Sequence, residues 1–127
     1  MTTPARSVFP ILSTEDLGVS MGFYGLLLGG EESYRFPNDG QPSFVVLRLG
    51  ESEIGLAAIG DTLHGEPMRP ASGHRFELCV YVEDVDAAVT AAREAGMRIV
   101  AEPSDQVWGE RVAYVADPDG NLVMLTA

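Results

Sequence analysis

The chain has no lysine, one cysteine, two histidines and no segment approaching about 20 unbroken apolar residues. A lone Cys79 excludes an intramolecular disulfide, and its place in an apolar run predicts a buried thiol rather than a reactive one. The lack of an apolar span argues against a membrane helix, and no signal-peptide pattern opens the chain, so the expected location is the cytoplasm. Positive charge is scarce: arginines 6, 35, 48, 69, 75, 93, 98 and 111 stand against 19 acidic residues, a formal charge of −11. Such a balance repels nucleic acid and anionic membranes, and it serves either plain solubility or a cationic ligand. Missing lysine together with plentiful alanine and glycine reads as the mutational bias of a high-GC bacterial genome. At 127 residues there is room for one core but not for two independent ones, so residues 1–127 are expected to form one domain.

What is present is clearest at the end. Arg111 to Ala116 and Leu122 to Thr126 read as apolar strands joined by Asp117-Pro118-Asp119-Gly120-Asn121. Pro118 presets the second turn position, while Asp117 and Gly120 suit the first and fourth. A β-hairpin follows, with Trp108-Gly109-Glu110 just ahead of it.

The chain also repeats itself. Glu15-Asp16-Leu17 recurs as Glu83-Asp84-Val85, sixty-eight positions on. Before each stands an apolar strand, Ser7 to Leu12 and Phe76 to Val82. After each comes a helix: one capped by Ser13 or Thr14, with Leu17, Met21, Tyr24 and Leu28 as its apolar face, and one capped by Asp84, with Val85, Ala88, Val89 and Ala92 buried. Gly29-Gly30 and Gly96 end them. Further strands are expected at Glu32 to Phe36, Ser43 to Leu49 and Glu53 to Ile59, and at Arg98 to Ala101 ahead of the hairpin. Both halves read βαβββ, with module 1 at about 7–59, a Pro- and Gly-rich linker at about 60–75 and module 2 at about 76–127. Neither half can bury its sheet alone, so the halves share a core within the chain or with a second chain. The fold class is α+β, with curved mixed sheets, helices on their outer faces and an inner surface suited to a ligand.

In this order and spacing, Glu15-Asp16-Leu17 with Phe23-Tyr24 and Leu28-Gly29, Val82 to Asp86 with Ala95-Gly96, and the closing Asp117 to Asn121 turn resemble the vicinal oxygen chelate superfamily. That superfamily includes glyoxalase I, extradiol dioxygenases and bleomycin-resistance proteins. The resemblance covers nearly the whole chain. It implies four metal-ligand positions, one on the first and one on the last strand of each module, normally filled by His or Glu, where a divalent ion acts as a Lewis acid. Carried onto this sequence, those positions are Phe9 and Glu77, a site near Gly55, and Met124. One carboxylate in four does not make a chelate, because even an open catalytic site keeps about three protein ligands. No metal or other cofactor is therefore expected. His64 and His74 fall in or beside the linker and read as solvated loop residues.

Apolar residues at the metal positions resemble the antibiotic-binding group, and this implies a homodimer that sequesters a small or medium organic ligand, cationic and aromatic, without altering it. Strand alternation puts Ser7, Phe9 and Ile11 on one face, and likewise Glu53, Gly55 and Ala57; Glu77, Cys79 and Tyr81; and Leu122 and Met124. The candidate ligand-binding residues are Trp108, Glu110, Phe9, Glu77, Met124, Tyr34, Phe36 and Phe44. Trp108 either stacks on a planar ligand or plugs the end of the sheet. Phe9 and Met124 read as core or groove wall. Glu77, costly to bury unpaired, is either a general acid or base with a raised pKa or the partner of Arg48, Arg75 or Arg111. Tyr34, Phe36 and Phe44 line the groove or pack under the helices. The alternative reading is a divalent-metal-dependent lyase, isomerase or dioxygenase, or catalysis resting on Glu77.

Overall fold

The computed structural model describes residues 4–59 and 75–127. The order is β1 (Ile11–Thr14), α1 (Leu17–Leu28), β2 (Glu31–Phe36), β3 (Phe44–Leu49), β4 (Ser52–Ala58), β5 (Glu77–Tyr81), α2 (Val85–Glu94), β6 (Arg98–Asp105), β7 (Arg111–Ala116) and β8 (Leu122–Thr126). Two four-stranded sheets form, ordered β1-β4-β3-β2 and β5-β8-β7-β6, with β1 parallel to β4 and β5 parallel to β8. Each module is thus βαβββ, and the fold is α+β.

Three expected strand boundaries change by more than one residue. The first strand starts at Ile11 rather than Ser7: ladder pairing with β4 begins at Ile11–Gly55, and Pro10 contributes only its carbonyl, which accepts the Gly55 N–H at 2.8 Å. Thr14 belongs to that strand, so the cap of α1 is Asp16, whose carboxylate accepts the Val19 N–H at 3.0 Å. The edge strand β6 runs on to Asp105 through two register shifts, which accommodate Pro103 where a central strand would not. The expected linker, with His64 and His74, lies outside the described residues apart from Arg75.

The apolar stripe of α1 also differs from the expected one. Its buried residues are Ser20, Phe23 and Tyr24, while Leu17, Met21 and Leu28 pack only partly against the core. A helix that is apolar on all sides offers no periodicity from which its buried face can be read. In α2 the buried residues are Val85, Val89 and Ala92, on the expected stripe. Leu12, Val45, Leu47, Ile54 and Leu56 from the first sheet meet Ala113, Val115, Val123 and Leu125 from the second in one cluster with both helices. Each such aliphatic side chain contributes about 1.5–3 kcal/mol by leaving water. The shared core therefore runs through the helices within one chain, leaving the other face of each sheet free.

The closing turn joins the modules. Gly120 N–H donates to the Asp117 carbonyl at 2.9 Å, and Gly120 takes φ +85°, as the turn chemistry requires. The Asp117 carboxylate accepts the N–H groups of Asp119 and Asn121, the Asn121 amide and, at 2.7 Å, the buried Tyr24 hydroxyl. Asp119 accepts the Glu15 N–H at 2.9 Å and the Ser20 hydroxyl at 3.2 Å. Burial first, then the Asp117 charge and hydrogen bond, drive the Tyr24 phenol far above its ordinary range.

Candidate functional site

Alternation along the strands fixes what lies on the free faces. Val45 and Leu47 point to the helices, so Phe44 and Val46 point away, and register with Phe36 and Tyr34 adds those two rings. The aromatic trio is thus on the open face rather than under the helices. The Tyr34 and Phe44 rings meet edge-on, centroids 6.2 Å apart. Phe44 leans over Gly55, where an added Cβ would stand 3.0 Å from its ring and 3.0 Å from Ile11 Cγ1. Ser33, at the register shift in β2, donates to Glu53 at 3.3 Å. Phe9 precedes β1 and is exposed.

On the second module the corresponding face carries Glu77, Cys79 and Tyr81 from β5, paired in register with Leu122, Met124 and Thr126 from β8. Tyr114 of β7, opposite Met124, donates its hydroxyl to the Met124 sulfur at 3.2 Å. Desolvation, then the neighbouring Glu77 carboxylate, raises the Tyr114 phenol. Glu77 itself is exposed, so the cost of burial that made it a candidate general base is absent. Nor does it meet the expected arginines: Arg75 donates to the Asp119 carbonyl, and Arg111 is held by Asp86 and Asp105. Cys79 is exposed, not buried, because β5 turns Leu78 and Val80 toward the core and Cys79 away from it.

Trp108 lies in the β6–β7 turn, where Gly109 takes φ +101° and Gln106 N–H bonds the Glu110 carbonyl at 2.8 Å. Its indole N–H donates to Glu110 at 2.8 Å, and the residue is 61% exposed, which does not suit a hydrophobic plug. A hydrogen bond to the same Glu110 is the main cause that raises the Tyr81 phenol. The structure therefore groups Trp108, Glu110, Glu77 and Met124 on one module and Tyr34, Phe36 and Phe44 on the other. Tyr114 escaped the sequence reading, although its position opposite Met124 in the hairpin was the available signal. A cleft of about 520 Å³ follows the junction, from Pro10 and the β3–β4 turn to β5, and includes Glu53 and Tyr81. A hollow of about 580 Å³ on the helix side is lined by Val19, Leu26, Met97 and Pro118. It holds none of these aromatic and carboxylate groups, so the open faces are the better site.

Arg111 anchors the Trp108 turn. Its guanidinium takes both oxygens of Asp86, at 2.7 and 3.0 Å, and one of Asp105 at 3.0 Å, tying α2 to the strand on either side of the turn. Hydrogen bonding to Arg111 lowers the Asp86 carboxyl. A carboxyl lowered on folding adds stability above its unfolded value and loses it as pH falls through the folded one. The urea midpoints of wild type and Asp86→Asn are thus expected to differ at neutral pH and converge in acid, with the difference reduced by salt. A difference that persists in strong acid would contradict this.

The comparisons agree with the geometry. The description "Glyoxalase/Bleomycin resistance protein/Dioxygenase superfamily" matches residues 7–125. The uncharacterized protein Mb0911c of Mycobacterium bovis is 33% identical over 122 residues, covering 93% of this chain and 79% of that protein. TioX from Micromonospora sp. ML1 has a crystal structure that superposes with a TM-score of 0.76 at 25% identity, covering 94% of this chain and 97% of TioX. A Nocardioides glyoxalase/bleomycin resistance protein/dioxygenase superposes with a TM-score of 0.77 at 24% identity, over 99% of this chain and 85% of that one. The chain belongs to the glyoxalase/bleomycin resistance protein/dioxygenase superfamily.

Proposed function

We propose that this chain is a metal-free binding protein that sequesters a small or medium organic ligand, cationic and aromatic in the manner of an antibiotic, in a groove at a homodimer interface. The observation that carries this reading is the donor set at the four chelate positions. Gly55 has no side chain and lies under the Phe44 ring, Phe9 offers only carbon, and the Met124 sulfur already accepts the Tyr114 hydroxyl. Glu77 remains as a single anionic ligand, whereas a catalytic divalent ion keeps about three. Among the described residues no three His, Cys, Asp or Glu side chains cluster as a metal site.

Aromatic faces with carboxylates beside them suit a flat cation through stacking and cation–π attraction. Support for a dimer comes from the exposure of those faces: Phe36 is 59% and Tyr81 71% exposed. Exposed large apolar side chains on both open faces favour an interaction site.

A thermal-shift screen with divalent metals and cationic aromatic antibiotics tests the proposal, since any ligand selective for the native state raises the melting temperature. A rise with antibiotics and none with metals is expected, as is sedimentation as a dimer at micromolar concentration. Stoichiometric Zn, Ni, Mn or Fe in protein purified without chelators would overturn the metal-free reading in favour of a lyase, isomerase or dioxygenase.

A further inference from the structure

We infer that the turn end of the second module binds an amphipathic anion, an organic carboxylate with an apolar tail, its head at Arg75 and Arg98 and its tail in the hollow beside α1. This site stands apart from the groove proposed above and does not depend on it.

A cavity of about 430 Å³ opens where the second sheet meets the closing turn. Arg98 of β6 pairs in register with Ala116, and Ala116 with Leu122, so the three form one row of the sheet, and all of them line the cavity. Arg75 lines it too, two residues ahead of β5. Since β5 and β6 are the two edges of this sheet, the arginines come to the cavity from opposite sides.

Both guanidinium charges are available to a ligand. Arg35, Arg93 and Arg111 are each held by a carboxylate, whereas among the described residues neither Arg75 nor Arg98 forms an ion pair. Arg75 donates to the Asp119 carbonyl at 2.6 Å, which fixes its position without neutralising it. A guanidinium has five N–H donors in a planar fork that matches the two oxygens of a carboxylate. Nineteen residues of the chain are acidic, yet no Asp or Glu lines this cavity. That local balance favours an anion and opposes a cation.

The tail has its place next door. The hollow of about 580 Å³ adjoins the cavity, because Arg98, Ala116 and Gly120 line both. Its wall includes Val19, Phe23, Leu26, Met97 and Pro118, and its one carboxylate, Asp117, is buried and engaged by Tyr24 and by its own turn. Helix α1 has no charged side chain from Leu17 to Leu28, and Leu26 is 74% exposed, so a tail lying there removes apolar surface from water. A small inorganic anion would leave that surface wet, and a neutral chain would leave the two guanidinium groups unused.

Calorimetry on the whole chain tests this with four probes: decanoate, decanol, decyltrimethylammonium and acetate. Decanoate is expected to bind at least tenfold more tightly than each of the others, with the advantage over decanol shrinking as salt screens the head. Arg98 is exposed, so Arg98→Gln should keep the circular dichroism of wild type while lowering decanoate affinity at least tenfold. Leu26→Asn should weaken decanoate and leave acetate unchanged. Decanol or decyltrimethylammonium binding as tightly as decanoate, or Arg98→Gln binding as wild type does, would overturn the inference. Decanoate and a cationic aromatic antibiotic should bind together; mutual displacement would put the tail in the groove and overturn this site alone. Failure of every antibiotic with decanoate still bound would defeat the groove and leave this site standing.

Discussion

Asp117→Ala is expected to lower the unfolding free energy by about 4 kcal/mol, because hydrogen bonds to charged groups are worth about 1.5–3 kcal/mol and an orphaned buried donor costs about 1–3. The carboxylate is 5% exposed and accepts from two backbone N–H groups, the Asn121 amide and the fully buried Tyr24 hydroxyl. Alanine leaves every one of those donors without its partner. Since a domain is stable by about 5–15 kcal/mol, the loss should appear as a large fall in the urea midpoint. Asp117→Asn keeps one acceptor oxygen and should fall between wild type and alanine. A loss below about 1 kcal/mol for alanine, the net worth of one ordinary hydrogen bond, would show that the turn does not hold the modules together. The same network has an alkaline signature. Tyr24 ionises near its ordinary value of 10.0 only when unfolded, so the unfolded state binds fewer protons above that pH and stability falls as pH rises. Tyr24→Phe should remove one proton's share of that slope, about 1.4 kcal/mol per pH unit.

Gly55→Leu should damage the site and the fold together. A Cβ there already stands 3.0 Å from Ile11 and from the Phe44 ring, so the rest of a leucine must displace that ring and separate it from Tyr34. Inserting bulk into a packed site costs about 1–3 kcal/mol. The larger expected effect is on binding: loss of the aromatic floor should weaken the antibiotics of the thermal-shift screen at least tenfold, about 1.4 kcal/mol. Gly55→Ala is the milder companion, asking neighbouring side-chain ends to move only a few tenths of an ångström. A leucine variant that binds as wild type does would remove the first module from the groove.

Much of the architecture was legible because it is written twice. The repeat placed both helices and eight strands in order, and β7 and β8 were bounded correctly because the turn chemistry between them leaves little choice. Where local pattern is silent, the reading failed. Nothing in the composition of α1 distinguishes its buried side, and Ser20 is buried because its hydroxyl meets Thr14 and Asp119, a partner ninety-nine residues away. The candidate site was legible as positions rather than environments. Alternation identified the faces of Glu77, Cys79 and Met124, but burial of Glu77 and Cys79 was inferred from their apolar neighbours, which point the other way. Tyr114 required knowledge of who sits across the strand.

The contact between Asp119 and the start of α1 has a consequence for how the chain matures. The first helix is finished last: Glu15 N–H and the Ser20 and Tyr24 hydroxyls find their carboxylates only when residues 93 to 104 positions later arrive. A nascent chain leaving the ribosome therefore carries an apolar helix without those partners until the turn at Asp117 and Asp119 has been made. Contacts of such sequence separation slow folding, so this step is set by synthesis of the β7–β8 hairpin rather than by the helix itself.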